Sequence, residues 1–521
     1  MVTQEHGRTA DGRAHLNTQQ RTVRLRDPGS RDGELDERWN VVVNHEHEAK
    51  SAASSRILPL SGADEAVRWR DDLCMTVVAA PNASTELLQH LIRLQCVNTG
   101  HPGSGDETRA AEMLRAVVDV PGVDVQSCGP LANRHSLVAR LPGTDPTAPT
   151  LLLLGHTDVV PVTPDDWRHE PFGGELIDGW VWGRGAIDML CVTASMAVAF
   201  AGLTKRHVAL PGTVVFAAVA DEEAGGSAGA GWLLDHHRDD VMADYVLTEC
   251  GGTPLHTPSG MKLPVLVAEK GAAWTRLVVH GRAAHGSTPL MGDNALVKAS
   301  EIVRRIADYR PLAVIHDTWR GYVAAMEFDD ELTRVLLDPA AIDDWAAHHP
   351  ERGFAADCHS CTHITLSPNV LRADGKTNTI PASVELEVDI RTLPGQSEDD
   401  VRRLLHELIG DLIDSVDIHF MHEEWPATES PTDSPLWRSV ERASASVYPD
   451  ARCVPAITPG GTDARFYRRA GATSYGYGLF SKELTYDDYV GMFHAANERC
   501  DVHSLALMEQ LWSDIAVDLL A

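Results

Sequence analysis

Leu151-Leu152-Leu153-Leu154-Gly155-His156-Thr157-Asp158 is the stretch that decides the fold. A continuous apolar run that ends in polar residues reads as a strand buried on both faces. The pattern returns at Thr213 to Ala220 and at Tyr245 to Thr248, and a helix of small and apolar residues at Thr193 to Leu203 lies between the first run and the second. Buried strands separated by helices predict an α/β fold with a mainly parallel sheet. Ligands of such sheets gather at the C-terminal ends of strands. The polar residues fall at those ends. His156 and Asp158 follow the first run, Asp188 closes Gly183-Arg-Gly-Ala-Ile-Asp188, Glu222 and Glu223 follow the second run, and Glu249 follows the third.

Upstream, Leu87, Leu88, Leu91, Ile92 and Leu94 recur at helical spacing, as do Ala110, Met113, Leu114 and Val117. Residues 1 to about 75 lack such periodicity and are rich in Arg, Asp, Glu, Gln and Ser, which predicts a disordered extension. A start at Met75 and a functional tail are its two explanations. Downstream, Trp274 to Val279 reads as a strand and Asn294 to Ile306 as a helix. Two strands (Thr362 to Leu366, Ser383 to Ile390), a helix (Asp399 to Ile413) and a last strand (Val416 to Phe420) follow. This β-α-β-β-α-β order predicts an inserted, ferredoxin-like α+β domain, with 311 to 358 as an insertion within it. The expected division is an extension over 1–75, a first catalytic part over 85–269, the inserted domain over 270–425 and a second catalytic part over 426–521.

A chain of 521 residues exceeds what one core usually organises, and 43% hydrophobic content suits a globular protein. With 45 Lys and Arg against 75 Asp and Glu, the net charge of −30 repels phosphate backbones and anionic lipid. Nucleic acid and membrane are therefore not expected partners. No apolar run approaches the roughly 20 residues that span a bilayer, and the N-terminus lacks the apolar core of a signal peptide. Nine scattered cysteines do not form a disulfide framework, so a cytoplasmic location is expected.

Carboxylates converging on one sheet edge with a histidine would repel one another unless cations neutralised them. Mixed imidazole and carboxylate donors suit zinc or a similar ion. Two ions about 3.5 to 4 Å apart, sharing one carboxylate, form a hydrolytic arrangement. Taken singly, such a histidine is ordinarily a hydrogen-bonded structural residue, and an acidic pair is ordinarily a solvated helix start. The order of the segments together carries the metal reading.

That order continues: His156-Thr-Asp158-Val-Val-Pro-Val, Trp167 with Pro171-Phe-Gly-Gly, and Asp178-Gly-Trp-Val-Trp-Gly-Arg-Gly-Ala-Ile-Asp188-Met lead into Asp221-Glu222-Glu223 and Glu249. His280-Gly-Arg-Ala-Ala-His285-Gly-Ser-Thr-Pro, Gly460-Gly-Thr-Asp463 and Phe493-His494 complete it. From about residue 85 to the C-terminus the chain resembles the M20 family of metallopeptidases, which includes aminoacylases, acetylornithine deacetylase, succinyl-diaminopimelate desuccinylase and carboxypeptidases.

The resemblance implies two Zn2+ per subunit, with Co2+ or Mn2+ as substitutes, bridged by Asp188. His156 and Glu249 would complete one site, Glu223 and His494 the other. Asp158 would orient His156 through its carboxylate, and Glu222 would act as general base. His285 would belong to a lid and dimerisation domain and reach a partner subunit's site to stabilise an oxyanion. Its ordinary alternative is a cap on the turn before Ser287-Thr-Pro289. Asn378 and Arg391 match lid residues that contact substrate, though a pair with Asp389 would account for Arg391 equally. Gly461 and Thr462 match a pocket-lining loop, against an ordinary glycine-rich turn.

The implied activity is hydrolysis of the amide bond of N-acyl amino acids or small peptides by a homodimeric enzyme. The alternative is an inactive binding or scaffold protein of the same fold, and the full set of ligands and base argues against it. Two departures from the family pattern stand out. Leu190-Cys191 replaces Lys and a small residue, and Ala495-Ala-Asn-Glu498 replaces a Gly-containing run. Cys358-His359-Ser360-Cys361 with His363 hints at a third metal or a redox pair, but lacks a second CxxC.

Overall fold

Leu151 and Leu153 lie in one buried cluster and Leu152 and Leu154 in another, as do Phe216 and Ala218 against Val215 and Ala217. Successive strand side chains point to opposite faces, so these central strands are covered on both sides and have no polar face to offer water. Burying each such side chain contributes roughly 1.5 to 3 kcal/mol. This is the physical content of the apolar runs in the sequence. The computed structural model describes residues 82–205, 209–422 and 425–521. The expectation of disorder over residues 1–75 lies outside the described residues.

The strands belong to a ten-stranded sheet. Thr213–Val219, Thr150–His156, Tyr245–Thr248 and Thr473–Gly476 run parallel at its centre, with His156 opposite Val219. The margins are antiparallel: Arg134–Leu141 pairs with Thr213–Val219 on one side, and Gly260–Glu269 meets Thr473–Gly476 on the other. The sheet is therefore mixed around a parallel centre. Helix Leu190–Lys205 is apolar on all sides, which fits its place inside the larger core, where its Phe200 meets Phe216 at 6.1 Å. Helix Ala83–Leu94 starts at Asn82, whose side chain accepts from the Thr85 amide at 2.9 Å. Among the described residues no helix is long and apolar enough to cross a membrane.

A second, five-stranded sheet is wholly antiparallel. Four of its strands occur in the chain as Thr275–His280, Thr365–Arg372, Ser383–Thr392 and Val416–Phe420, and in the sheet as second, third, first, fourth. Helices Ala295–Asp308 and Glu398–Ile409 bury Ile302, Ile306, Val401 and Leu405 against Val384, Leu386, Val388 and Ile390. That is the ferredoxin-like order and layering, reached by strict alternation along Ser383–Thr392.

The stretch 311 to 358, expected to be part of this unit, packs elsewhere. Its helices Asp317–Met326, Asp330–Leu336, Ile342–His348 and Arg352–Ser360 place Trp319, Tyr322, Leu336, Ile342 and Phe354 in the core of the larger sheet. The second unit is interrupted in sequence, and the interruption's apolar residues are buried against the larger sheet instead.

Candidate active site

Three adjacent parallel strands end together. His156 is the last residue of Thr150–His156, Glu222 and Glu223 form a short turn after Thr213–Val219, and Glu249 follows Tyr245–Thr248. Nδ1 of His156 lies 2.9 Å from the carbonyl oxygen of Asp158. A carbonyl only accepts, so Nδ1 carries a proton and Nε2 is the nitrogen turned toward the site. That Nε2 is 3.1 Å from Oδ1 of Asp188 and 3.8 Å from Oε2 of Glu249. On the other side of Asp188, Nε2 of His494 is 3.2 Å from its Oδ2 and 3.1 Å from Oε2 of Glu223. The two oxygens of Asp188 thus face two different histidines.

The supporting groups are as specific. Asp158 does hold His156, but through its main chain: its carboxylate is 3.6 Å from the imidazole and accepts the amides of Glu222 and Glu223 at 3.2 and 3.1 Å and Asn98 Nδ2 at 2.8 Å. The expected carboxylate orienter therefore orders the turn that carries both glutamates. Glu498 accepts the amides of Gly185, Ile187 and Asp188 at 2.9, 2.7 and 2.9 Å and pairs with Arg184 at 2.7 Å. It fixes the loop that presents Asp188. Arg134, buried, bonds Asn98 and pairs with Asp221. Asp221, Cys250 and His494 all have left-handed backbone, with φ of 71°, 70° and 57°, a strain that concentrates at functional sites.

Sequence reasoning missed Asn98, Arg134 and Glu498 as supports. Glu498 was visible only as an oddity four residues after His494. Asp463, quoted within its motif but given no role, has both carboxylate oxygens buried without a partner.

The donor set fits divalent metal. Bonds of about 2.0 to 2.1 Å in tetrahedral geometry put neighbouring ligand atoms about 3.3 Å apart, and the separations above cluster around that value. Oε1 of Glu223 is buried with no hydrogen-bond partner. His156, Asp188 and Glu223 can converge on one ion, as can His156, Glu222 and Glu249.

Charge tells the same story. Burial, then Asp188, pushes Glu223 up to about 7, and burial followed by neighbouring carboxylates drives Glu222 and Glu249 well above the usual range. Burial opposes charge on His494, yet its bonds to Asp188 and Glu223 raise it to about 11. Burial likewise opposes charge on His156, which Asp188 and Glu249 nevertheless hold well above its ordinary value. Burial works against the Asp188 carboxylate too, and the two histidines overcome it. Carboxylates crowded this closely reach full ionisation only beside strong positive charge.

The residues expected to meet the substrate or the oxyanion fall into two groups. His285 and Asn378 share one small ribbon: Ala284–His285 pairs with Thr379–Ile380, and the Gly286 amide donates to the Asn378 carbonyl at 2.7 Å. His285 is exposed, and its Nδ1 accepts the Ser287 amide at 3.2 Å, which is the turn-capping geometry and also leaves Nε2 as an N–H donor. The structure does not bring His285 into the cluster of its own chain; its bonds are local.

Arg391, Gly461 and Thr462 gather around Trp425. Arg391 bonds Asp389 at 2.7 Å and lies over Trp274 at 5.3 Å and Trp425 at 6.0 Å. A Cβ on Gly461 would fall inside the Trp425 ring's contact envelope, so no other residue fits. Thr462 donates its amide to buried Glu269 at 2.6 Å. Arg465 stacks on Trp425 at 3.4 Å and bonds the carbonyl of Gly225, beside the Glu222–Glu223 turn.

A parallel-centred α/β sheet whose C-terminal edge gathers imidazoles and carboxylates, with an inserted antiparallel lid, defines a hydrolase of the metallopeptidase class. The peptidase family M20/M25/M40 matches residues 152–518, and the chain belongs to it. It is 26% identical to aminoacylase-1B of Rattus norvegicus over 362 residues, 69% of this chain and 77% of that one. Its fold is similar to an M20 family metallo-carboxypeptidase, Sso-CP2, from Sulfolobus solfataricus (TM-score 0.66, 17% identity, 84% of this chain and 100% of that one). It is also similar to human carnosine dipeptidase 1 (TM-score 0.61, 17% identity, 84% and 96%).

Proposed function

We propose that this protein is a zinc-dependent, dinuclear amidohydrolase that cleaves the amide bond of N-acyl amino acids or small peptides. The observation that carries the reading is Asp188, whose two oxygens lie 3.1 and 3.2 Å from His156 and His494 on opposite sides. His156, Asp188 and Glu249 would hold one ion and Asp188, Glu223 and His494 the other. A divalent pair there supplies positive charge that lowers the pKa of water and polarises a carbonyl.

The chain's own groups do the rest. Glu222, on the turn beside the cluster, accepts the attacking water's proton and returns it to the departing amine nitrogen. Asp158 holds Glu222 by its amide. His285 donates from Nε2 to the developing oxyanion in a second copy's site. Leu290 and Met291, five and six residues on, are 97% and 69% exposed, which supports a homodimer that covers this edge of the lid. We assign Asn378, Arg391, Gly461 and Thr462 to substrate contact. An incoming carboxylate would displace Asp389 from Arg391. The described cysteines are all free thiols, which suits a reducing, cytoplasmic setting.

The test separates neighbouring glutamates. Glu222→Gln keeps its size and cannot take a proton, so turnover on a panel of N-acyl amino acids should fall by roughly 10² to 10⁴ while zinc content holds. Glu223→Gln should lose zinc, and added zinc should partly restore it. Loss of zinc in Glu222→Gln with full retention in Glu223→Gln would reverse the two roles, and a zinc-loaded wild-type chain with no amide turnover would sink the proposal.

A further inference from the structure

The stretch that packs against the catalytic layer carries a cluster the proposed chemistry does not use. Asp343 stands in the first turn of helix Ile342–His348, His359 near the end of helix Arg352–Ser360, and His363 three residues beyond that helix. Oδ1 of Asp343 is 3.0 Å from Nε2 of His363 and 3.5 Å from Nε2 of His359. His363 is fully buried, whereas the side chains of His359 and Asp343 are 40% and 45% exposed.

Proton positions make this arrangement unusual. Nδ1 of His363 is 2.8 Å from the carbonyl oxygen of His359, which can only accept, so Nδ1 carries a proton. The Thr362 hydroxyl, 3.0 Å from the same Nδ1, already donates to the carbonyls of Cys358 and His359 and accepts here. Nε2, the other ring nitrogen of buried His363, faces Oδ1 of Asp343 within ion-pair reach. Both atoms are buried, and neither has a hydrogen-bond partner. Buried polar atoms without hydrogen bonds are costly, and a cation held between them would satisfy both.

We propose that Asp343, His359 and His363 form a third divalent-metal site, separate from the catalytic cluster and open to solvent on its outer side. Two imidazoles and one carboxylate select a borderline ion such as zinc, cobalt or nickel over calcium or magnesium. The imidazole rings stack 4.1 Å apart at 11°, and both present Nε2 to the same oxygen of Asp343. Closing on an ion tilts the exposed His359 ring while the buried His363 ring stays in place. The neighbouring cysteines face the other way: Cys358 and Cys361 lie in the core of the larger sheet, where Cys361 Sγ donates to the carbonyl of Ile457 at 3.2 Å. Lys270 donates to the carbonyls of Ser360 and His363 at 2.9 and 2.7 Å and anchors the ligand-bearing segment from the strand side.

The test is a count by difference. Full-length protein is stripped with chelator and titrated with zinc, and bound zinc per chain is measured by mass spectrometry. The Asp343→Asn/His359→Ala double variant should bind one zinc fewer than wild type at micromolar free metal. Equal counts would overturn the proposal. If the double variant misfolds, Asp343→Asn alone, a change at a half-exposed carboxylate, should lose the same equivalent, and its failure to do so overturns the proposal as well. The difference is independent of how many ions the catalytic cluster takes, so it stands or falls apart from the proposed hydrolysis.

Discussion

The same carboxylate group behaves in opposite ways in the two sheets. On the lid helix Ala295–Asp308, Glu301 faces water, bonds Arg304 and Arg305, and is held down to about 2. At the catalytic edge Glu223 is pushed up to about 7 by burial and by Asp188. The lid gives Glu301 its own local counter-charges on an outer face, over a core of apolar residues. The catalytic layer instead concentrates charges of one sign and leaves them short of partners. Such a region is stable in full only with something bound, so function and stability are linked there and separate in the lid.

Five substitutions press on that contrast. Asp188→Ala should have the largest effect, because it removes the group both histidines face: zinc content measured by mass spectrometry should fall to near zero at the catalytic cluster, and turnover with it. Retention of two ions there would break the contrast outright. His285→Ala should leave zinc and folding intact and lower turnover by roughly 10² to 10³, the loss typical of one oxyanion donor. Mixed dimers of Glu222→Ala and His285→Ala chains should regain activity, since one hybrid site carries both groups. Glu498→Gln should weaken zinc binding by roughly 10- to 100-fold, measured by competition with a chelating dye, since a group that orients a ligand is worth that much. In the lid, Leu386→Ala should cost roughly 2 to 5 kcal/mol of stability by chemical denaturation while leaving zinc affinity unchanged. A shift in zinc affinity there would show that the two regions are coupled.

What could be read from the sequence follows from how local each signal is. The runs at Leu151 and Thr213 are legible because burial on both faces demands an unbroken apolar stretch, and the alternation from Ser383 is legible because one face is wet. The site residues His156, Asp188, Glu222, Glu223, Glu249 and His494 are brought together as expected. The main-chain role of Asp158 was hidden, since a sequence does not say whether a residue works by its carbonyl or its carboxylate. Arg134 opens an antiparallel strand instead of following a parallel one, and neither it nor Asn98 belongs to a motif. The stretch 311–358 is legible as an insertion within the second unit, but a sequence does not say onto which core an insertion folds back.

Glu498 has a consequence for the order in which the protein is made. It fixes the amides of Gly185, Ile187 and Asp188 from 310 or more positions further along the chain, and His494 comes from the same segment. During synthesis the strands that bear His156, Glu223 and Glu249 leave the ribosome hundreds of residues before these two groups exist. The carboxylate cluster therefore waits, incomplete and self-repelling, until the last helix-bearing segment emerges. In the proposed dinuclear site, metal capture would be a finishing step of biogenesis, and a nascent chain stalled before residue 494 should carry no catalytic ion pair.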